Sequence, residues 1–174
     1  MIRRLGVFAA MLALVVALIP GAASAQEPSD DPSIATIVAT TGEYKQLLRA
    51  VRAAGLLEAV VGLDGVTVFA PNNRAFLRTL GELGLTPSQL WAQPTLLASI
   101  ILYHVVPTEL YAADVVGFVG NVPTLQGEPI AVNGNTLTLN GNVKLKVNDL
   151  DIIASNGVIH GIDRVLLPPS ITGG

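Results

Sequence analysis

Eleven residues, Val66–Phe76, V-T-V-F-A-P-N-N-R-A-F, hold a strand, a stop and a helix start. No other stretch constrains the fold as tightly. Val66, Val68 and Ala70 alternate with Thr67 and Phe69, the period of a short buried strand. Pro71 has no N–H to donate, so sheet pairing ends there. Asn72 or Asn73 then supplies a side-chain oxygen for the orphan N–H groups of a helix starting near Arg74. The segment is a structural pivot and carries no catalytic signature.

The first residues read as a targeting segment. Arg3 and Arg4 precede the apolar run Leu5–Ile19, Pro20 and Gly21 break it, and Ala23-Ser24-Ala25 is an A-x-A cleavage site. Residues 1–25 are therefore expected to be a secretory signal peptide, with the mature chain beginning at Gln26. Residues 26–32, Q-E-P-S-D-D-P, are expected to be a flexible leader, 33–169 one domain and 170–174 a tail. The mature chain of about 149 residues suits one domain with a real core. It holds 8 basic and 13 acidic residues and no basic run, which argues against nucleic acid as a partner. The absence of cysteine excludes disulfides, thiol chemistry and a lipid thioether anchor. No later apolar stretch is long enough to span a membrane.

Helices are expected first and strands second. Ser33 caps a brief helix carrying Ile34, Ile37 and Val38. Tyr44, Leu47, Leu48 and Val51 fall at helical spacing over Tyr44–Ala54, and Gly55 suits the position just past the end. Leu56–Val61 reads as a helical turn. Arg74–Leu83 is expected to turn Phe76, Leu77 and Leu80 inward. Thr86-Pro87 is a cap followed by proline at the first helical position. Thr95–Tyr103 is an apolar helix running into His104-Val105-Val106, and Leu110–Val116 is a short helix or turn. From Asn121 the period becomes two. Ile130–Val132, Thr136–Leu139, Val143–Val147, Ile152–Ile153 and Val158–Leu167 read as strands. Asn133-Gly134, Asn140-Gly141 and Asn156-Gly157 read as type I′ hairpin turns. The fold class is α+β.

Chemistry has few candidates. His104 and His160 are the only histidines. Neither has a second ligand at metal-binding spacing, and both sit in apolar runs, so each reads as a buried imidazole satisfied by hydrogen bonds. Ser155, His160 and Asp163 do not make a triad, since no G-x-S-x-G elbow exists and residues three apart on a strand face opposite ways. Asp149 and Asp151 read as a solvated strand entrance rather than a glycosidase pair. No catalytic residue, metal or cofactor is expected.

Three blocks, T-V-F-A-P-N-N-R-A-F (Thr67–Phe76), I-L-Y-H-V-V-P (Ile101–Pro107) and S-N-G-V-I-H-G-I-D-R-V-L-L-P-P (Ser155–Pro169), resemble the fasciclin (FAS1) domain in order and spacing. Secreted single-domain bacterial members share this layout. The resemblance implies a wedge-shaped β-sandwich of about seven strands with a packed group of N-terminal and central helices. Thr67, Phe69, Pro71, Asn73 and Phe76 would belong to the structural motif of the first block. Asn156, Gly157, His160, Asp163 and Arg164 would belong to that of the last, one of the Asp163-Arg164 pair lying inward. The family usually has Thr-Asp where this chain has Asn72-Asn73, which keeps the shape and loses the charge.

The resemblance further implies a non-enzymatic extracellular module that binds a protein or glycan at the cell surface or in a matrix. In animal members a Tyr-His segment and an Asp-Ile pair are implicated in integrin binding. They correspond to Tyr103 and His104, and to Asp151 and Ile152. Asp151 is expected to be solvated and uncommitted. The alternative function is a lipid or pigment carrier with an apolar gap between helices and sheet.

Overall fold

The computed structural model describes residues 30–172. The expected signal peptide and most of the leader lie outside the described residues. Eight helices are present among them: α1 (Ile34–Thr40), α2 (Lys45–Ala53), α3 (Leu57–Val61), α4 (Asn73–Glu82), α5 (Pro87–Trp91), α6 (Pro94–Tyr103), α7 (Ala112–Val115) and α8 (Pro169–Thr172). The strands are β1 (Val66–Pro71), β2 (Val105–Val106), β3 (Val119–Val122), β4 (Ile130–Asn133), β5 (Thr138–Leu139), β6 (Val143–Lys144), β7 (Ile152–Ala154) and β8 (Gly157–Ile162). They form two four-stranded sheets, β2-β1-β8-β7 and β3-β4-β5-β6. The class is α+β as expected, with eight described strands rather than about seven.

The helix signals act locally and appear where the sequence puts them. Ser33 Oγ accepts from the Thr36 N–H, and Asn72 Oδ1 accepts from the Ala75 N–H at 2.9 Å. Thr86 and Gln89 close a reciprocal capping box with Pro87 in the first turn. Leu77 departs from expectation: it is 52 % exposed, while Phe76 and Leu80 are buried. It lies one residue round from the Phe76–Leu80 stripe and so leaves the core.

Every residue of β1 and β8 is buried. The central sheet therefore separates two cores. Val66, Val68, Ala70 and Ile159 face the helices, among Leu47, Phe76, Leu97 and Ile101. Phe69 and Ile162 face the second sheet, among Ile130, Val132, Leu139 and Val143. The layers run helices, central sheet, second sheet. The two sheets join at one side, where Leu145 bridges Ile162 and the Lys146 N–H donates to Gly161 O at 2.9 Å.

The second sheet is an antiparallel meander. Asn140 and Asn-following Gly141 both have positive φ, +48° and +76°, and form the expected I′ turn between β5 and β6. The other two Asn-Gly pairs do different work. Asn133 Oδ1 accepts from the Asn135 and Thr136 N–H groups, a turn made by the side chain. At the third pair the two loop residues are Ser155 and Asn156, because Ala154 already pairs with Gly157. Asn156 accepts from the Ile34 N–H and donates to Leu63 O, tying the hairpin to α1 and the loop before β1. Gly157 opens β8 with φ +149°, and a Cβ there would lie 2.1 Å from Val66 O.

The last strand is shorter than expected and ends at Ile162. Asp163 and Arg164 lie beyond it, each half-buried, and the Arg164 Nε is enclosed without a hydrogen-bond partner. Asp163 accepts from the Lys144 N–H and meets Arg78 at 3.4 Å, while Arg164 meets Glu82 at 3.4 Å. Residues 170–172, expected in a tail, belong to α8, and Ile171 packs against the helical core. Gly157→Ala should lower stability by about 3 kcal/mol in urea denaturation, because β1 and β8 must move apart to admit the methyl group.

Candidate functional site

Tyr103 ends α6 and is fully buried. Its hydroxyl donates to Pro129 O at 3.0 Å and accepts from Asn140 Nδ2 at 2.9 Å. Burial pushes the phenol up from its ordinary pKa, against the Asn140 hydrogen bond. The next residue, His104, is also buried. Its Nδ1–H donates to Ile100 O at 2.7 Å, and Nε2 accepts from the Leu166 N–H at 2.9 Å. Burial holds this imidazole down at about 4, against the pull of the Ile100 carbonyl. Both residues fasten the end of α6 to its neighbours.

The second pair lies elsewhere. Ile152 starts β7 opposite Ile159 and packs against the helical core. Asp151 has φ +51°, an unusual conformation for a residue with a side chain. Its Oδ1 accepts from the Ala112 N–H at 2.7 Å, and its own N–H donates to His160 Nδ1 at 3.2 Å. The expectation of an uncommitted carboxylate is therefore corrected: Asp151 caps α7 from across the fold. His160 completes the arrangement, donating from Nε2 to Leu110 O at 2.6 Å. Its ring lies 5.9 Å from that of Phe69. Burial lowers its pKa, against the Leu110 carbonyl and the charge of Asp151. Thr67 holds the same segment, donating to Thr108 O and accepting from the Leu110 N–H, each at 2.7 Å.

These contacts clamp residues 108–112 and set the course of the chain after them. Among the next residues several apolar side chains face solvent. Tyr111 is 38 % exposed, Val116 60 %, Phe118 42 % and Val119 62 %. They fall within nine residues, and no charged residue lies between Asp114 and Glu128. Sequence reasoning passed over them. Their usable signal was the uncharged run V-V-G-F-V-G-N-V, which lacks a clean period of either kind.

The gap between helices and central sheet, lined by Ile34, Val38, Leu47, Val51, Val68 and Ile101, is about 30 Å³. That is room for about one or two waters. Among the described residues no three His, Cys, Asp or Glu side chains come together as metal ligands would. Ser155, His160 and Asp163 bond to different partners, and none of their side chains bonds to another.

Residues 42–168 match the Fasciclin domain family. The chain belongs to the fasciclin family. It is 38 % identical over 141 residues to Protein sll1483 of Synechocystis, covering 79 % of this chain and 74 % of that one. It is 35 % identical to Immunogenic protein MPB70 of Mycobacterium bovis, covering 86 % and 76 %. With the pig transforming growth factor-beta-induced protein ig-h3 it shares 35 % identity over 73 % of its length, but spans only 18 % of that larger protein. The fold is similar to that of a FAS1 domain pair from the insect cell adhesion molecule fasciclin I. The TM-score is 0.65 at 15 % identity, covering 80 % of this chain and 52 % of that one.

Within this fasciclin domain the Asn72-Asn73 departure has a definite use. Asn73 Oδ1 accepts from the Gln46 N–H at 3.0 Å, satisfying the first turn of α2, whose own N-cap residue Tyr44 offers no side-chain bond. Its Nδ2 donates to Gly42 O at 2.9 Å. A carboxylate reproduces the first bond and has no proton for the second.

Two outcomes follow from these contacts. The folded domain keeps His104 neutral to about pH 4, whereas the unfolded chain protonates it below about 6.5. The stability this histidine supports is complete above pH 6.5 and falls as pH drops towards 4, by about 3 kcal/mol in total. Urea titrations at stepped pH read that loss, and the His104 ring protons should not titrate between pH 7.5 and 5 in NMR spectra. Separately, Asp151→Ala should cost about 1–3 kcal/mol, losing a cap and straining a positive φ. Asp151→Asn should cost less than half as much, since asparagine keeps the acceptor and tolerates that backbone. Thermal denaturation of the two variants makes the comparison.

Proposed function

We propose that this fasciclin domain is an exported, non-enzymatic adhesion module that binds an extracellular protein or glycan at the cell surface or in a matrix. The observation carrying the reading is the set of exposed apolar side chains at Tyr111, Val116 and Phe118, on a segment clamped by Thr67, His160 and Asp151. Scattered exposed apolar residues are ordinary, but several within nine residues, on a chain fixed at residues 108–112, favour a partner. Export rests on the reading of Arg3–Ala25 as a signal peptide. No helix among the described residues is long and apolar enough to cross a membrane. The similarity in fold to a cell adhesion molecule supports the same reading.

The borrowed binding residues take a different role in this proposal. Tyr103, His104 and Asp151 act on recognition through the scaffold they hold. The carrier alternative has less support: the gap behind the central sheet is about 30 Å³, and the apolar cleft beside Phe76, Leu80, Leu90 and Ile100 is about 170 Å³, below the usual size of a small-molecule site.

Val116→Lys is the direct test. Val116 is 60 % exposed, so stability should stay within about 0.5 kcal/mol of the parent. Binding of cell-envelope material to the immobilised domain should fall at least about tenfold, a loss of about 1.4 kcal/mol. Unchanged binding would remove this surface from the function.

A further inference from the structure

Among the described residues the two sheets have four edge strands; β2 and β6 bond to the chain beside them, and β7, three residues long, is met only just past its end. At β2 the Leu125 N–H donates to Val105 O at 2.8 Å. Just past β7 the Ser155 N–H donates to Pro32 O at 3.2 Å. At β6 the chain crosses to the other sheet, with the Asp163 N–H donating to Lys144 O at 3.0 Å. Among the described residues the fourth edge, β3, has β4 on one side and no strand on the other.

Register shows which backbone groups β3 leaves free. Val119 lies opposite Asn133 and Val122 opposite Ile130. The Gly134 N–H donates to Phe118 O at 2.6 Å, so Phe118, Gly120 and Val122 are the residues bonded to β4. Bonded and non-bonded positions alternate in an antiparallel ladder. Val119 and Asn121 therefore turn their N–H and C=O groups outward. Their side chains are exposed as well. Natural edge strands are usually guarded by lysine, an inward charge, proline or a bulge. Here no charged residue occurs from Val115 to Gly127, and Pro123 comes only after the strand.

We propose that β3 is a self-association edge on which a second copy of this chain docks its own β3. The two strands run antiparallel about a two-fold axis at Gly120. Val119 of each copy sits opposite Asn121 of the other and exchanges both backbone hydrogen bonds with it. The axis position is the non-bonded pair, where the strands come closest, and Gly120 brings no side chain into it. The lack of charge selects a second copy as occupant. A two-fold axis at Gly120 sets that residue against its own duplicate and places each copy of Val119 diagonally across from the other, so a single charge on this short edge would lie near its like. Pairing makes one eight-stranded sheet across the dimer and flanks it with Phe118 and Val119 from both sides. The inference shares Phe118 with the adhesion surface but does not rest on that reading, which is tested at Val116 with a foreign partner.

Purified chain alone tests it. An edge contact of this size belongs to the small, transient class, so sedimentation should show reversible dimers over about 10 µM to 1 mM. Amide hydrogen exchange at the same concentrations should slow at Val119 and Asn121, while Gly120 stays protected throughout by β4. Val119→Lys should weaken association at least tenfold with unchanged circular dichroism. Adding Asn121→Glu, which sets opposite charges across the axis, should restore it. A monomer across the whole range, or dimers indifferent to Val119→Lys, overturns the proposal. Failure of the double variant to recover overturns the register. Envelope binding by Val116→Lys reads the adhesion reading separately, so the two can fail independently.

Discussion

The parallel pairing of β1 with β8 is the contact on which the rest of this molecule hangs. Its two strands are about ninety residues apart in sequence, and six residues of each are matched in register. All twelve are buried, which a strand tolerates only when both faces of its sheet are covered. The helices cover one face and the second sheet the other. Closing so long a loop costs entropy before any contact repays it. The pair compensates by closeness: at Gly157 the chains approach so tightly that no side chain fits between them. The three sequence blocks resembling the fasciclin pattern contain β1, β2 and β8, which are neighbours in this one sheet. The pattern visible in the sequence is thus the imprint of a packing requirement.

Two neutral imidazoles serve as fasteners between these layers. Each histidine presents one donor and one acceptor, and each end meets a backbone group that no regular ladder satisfies. His104 joins Ile100 to Leu166, and His160 joins Leu110 to Asp151. In a medium of low dielectric such bonds are strong when complete and expensive when broken. A protonated ring would replace the acceptor with a second donor and lose one bond at once. Burial and function as a fastener therefore demand the same neutral state, and the lowered pKa values express that demand.

Features decided within a few residues were legible in the sequence. The caps at Ser33, Asn72 and Thr86, the I′ turn at Asn140-Gly141 and the buried strand at Val66 are cases where local chemistry had no competitor. Asn156-Gly157 shows where that reasoning fails. The dipeptide suited a hairpin turn, but tertiary contacts claimed both residues, Asn156 for α1 and the loop before β1, Gly157 for the approach of Val66. Asp151 failed in the same way. Its short-range context suggested solvent, while its partner Ala112 lies 39 residues away. The strand that partners β1 was legible over Val158–Leu167, but nothing local showed that the two pair in parallel.

The same logic bears on where recognition lies. A side chain that binds a partner must be free to change its bonds on binding, and Tyr103, His104 and Asp151 are already engaged with the backbone or with Asn140. Releasing any of them would leave a polar group unpaired inside the fold, at a cost of about 1–3 kcal/mol. Val116, Phe118 and Val119 have no such commitment, and covering them removes apolar surface from water. In the proposed reading the polar residues near this surface would set its shape, and the apolar ones would supply affinity for a partner. A substitution at Asp151 would then alter binding by loosening the start of α7, and with it the course of the chain towards Val116. Altered binding at that position is consequently no evidence of direct contact unless the stability of the domain is measured alongside it.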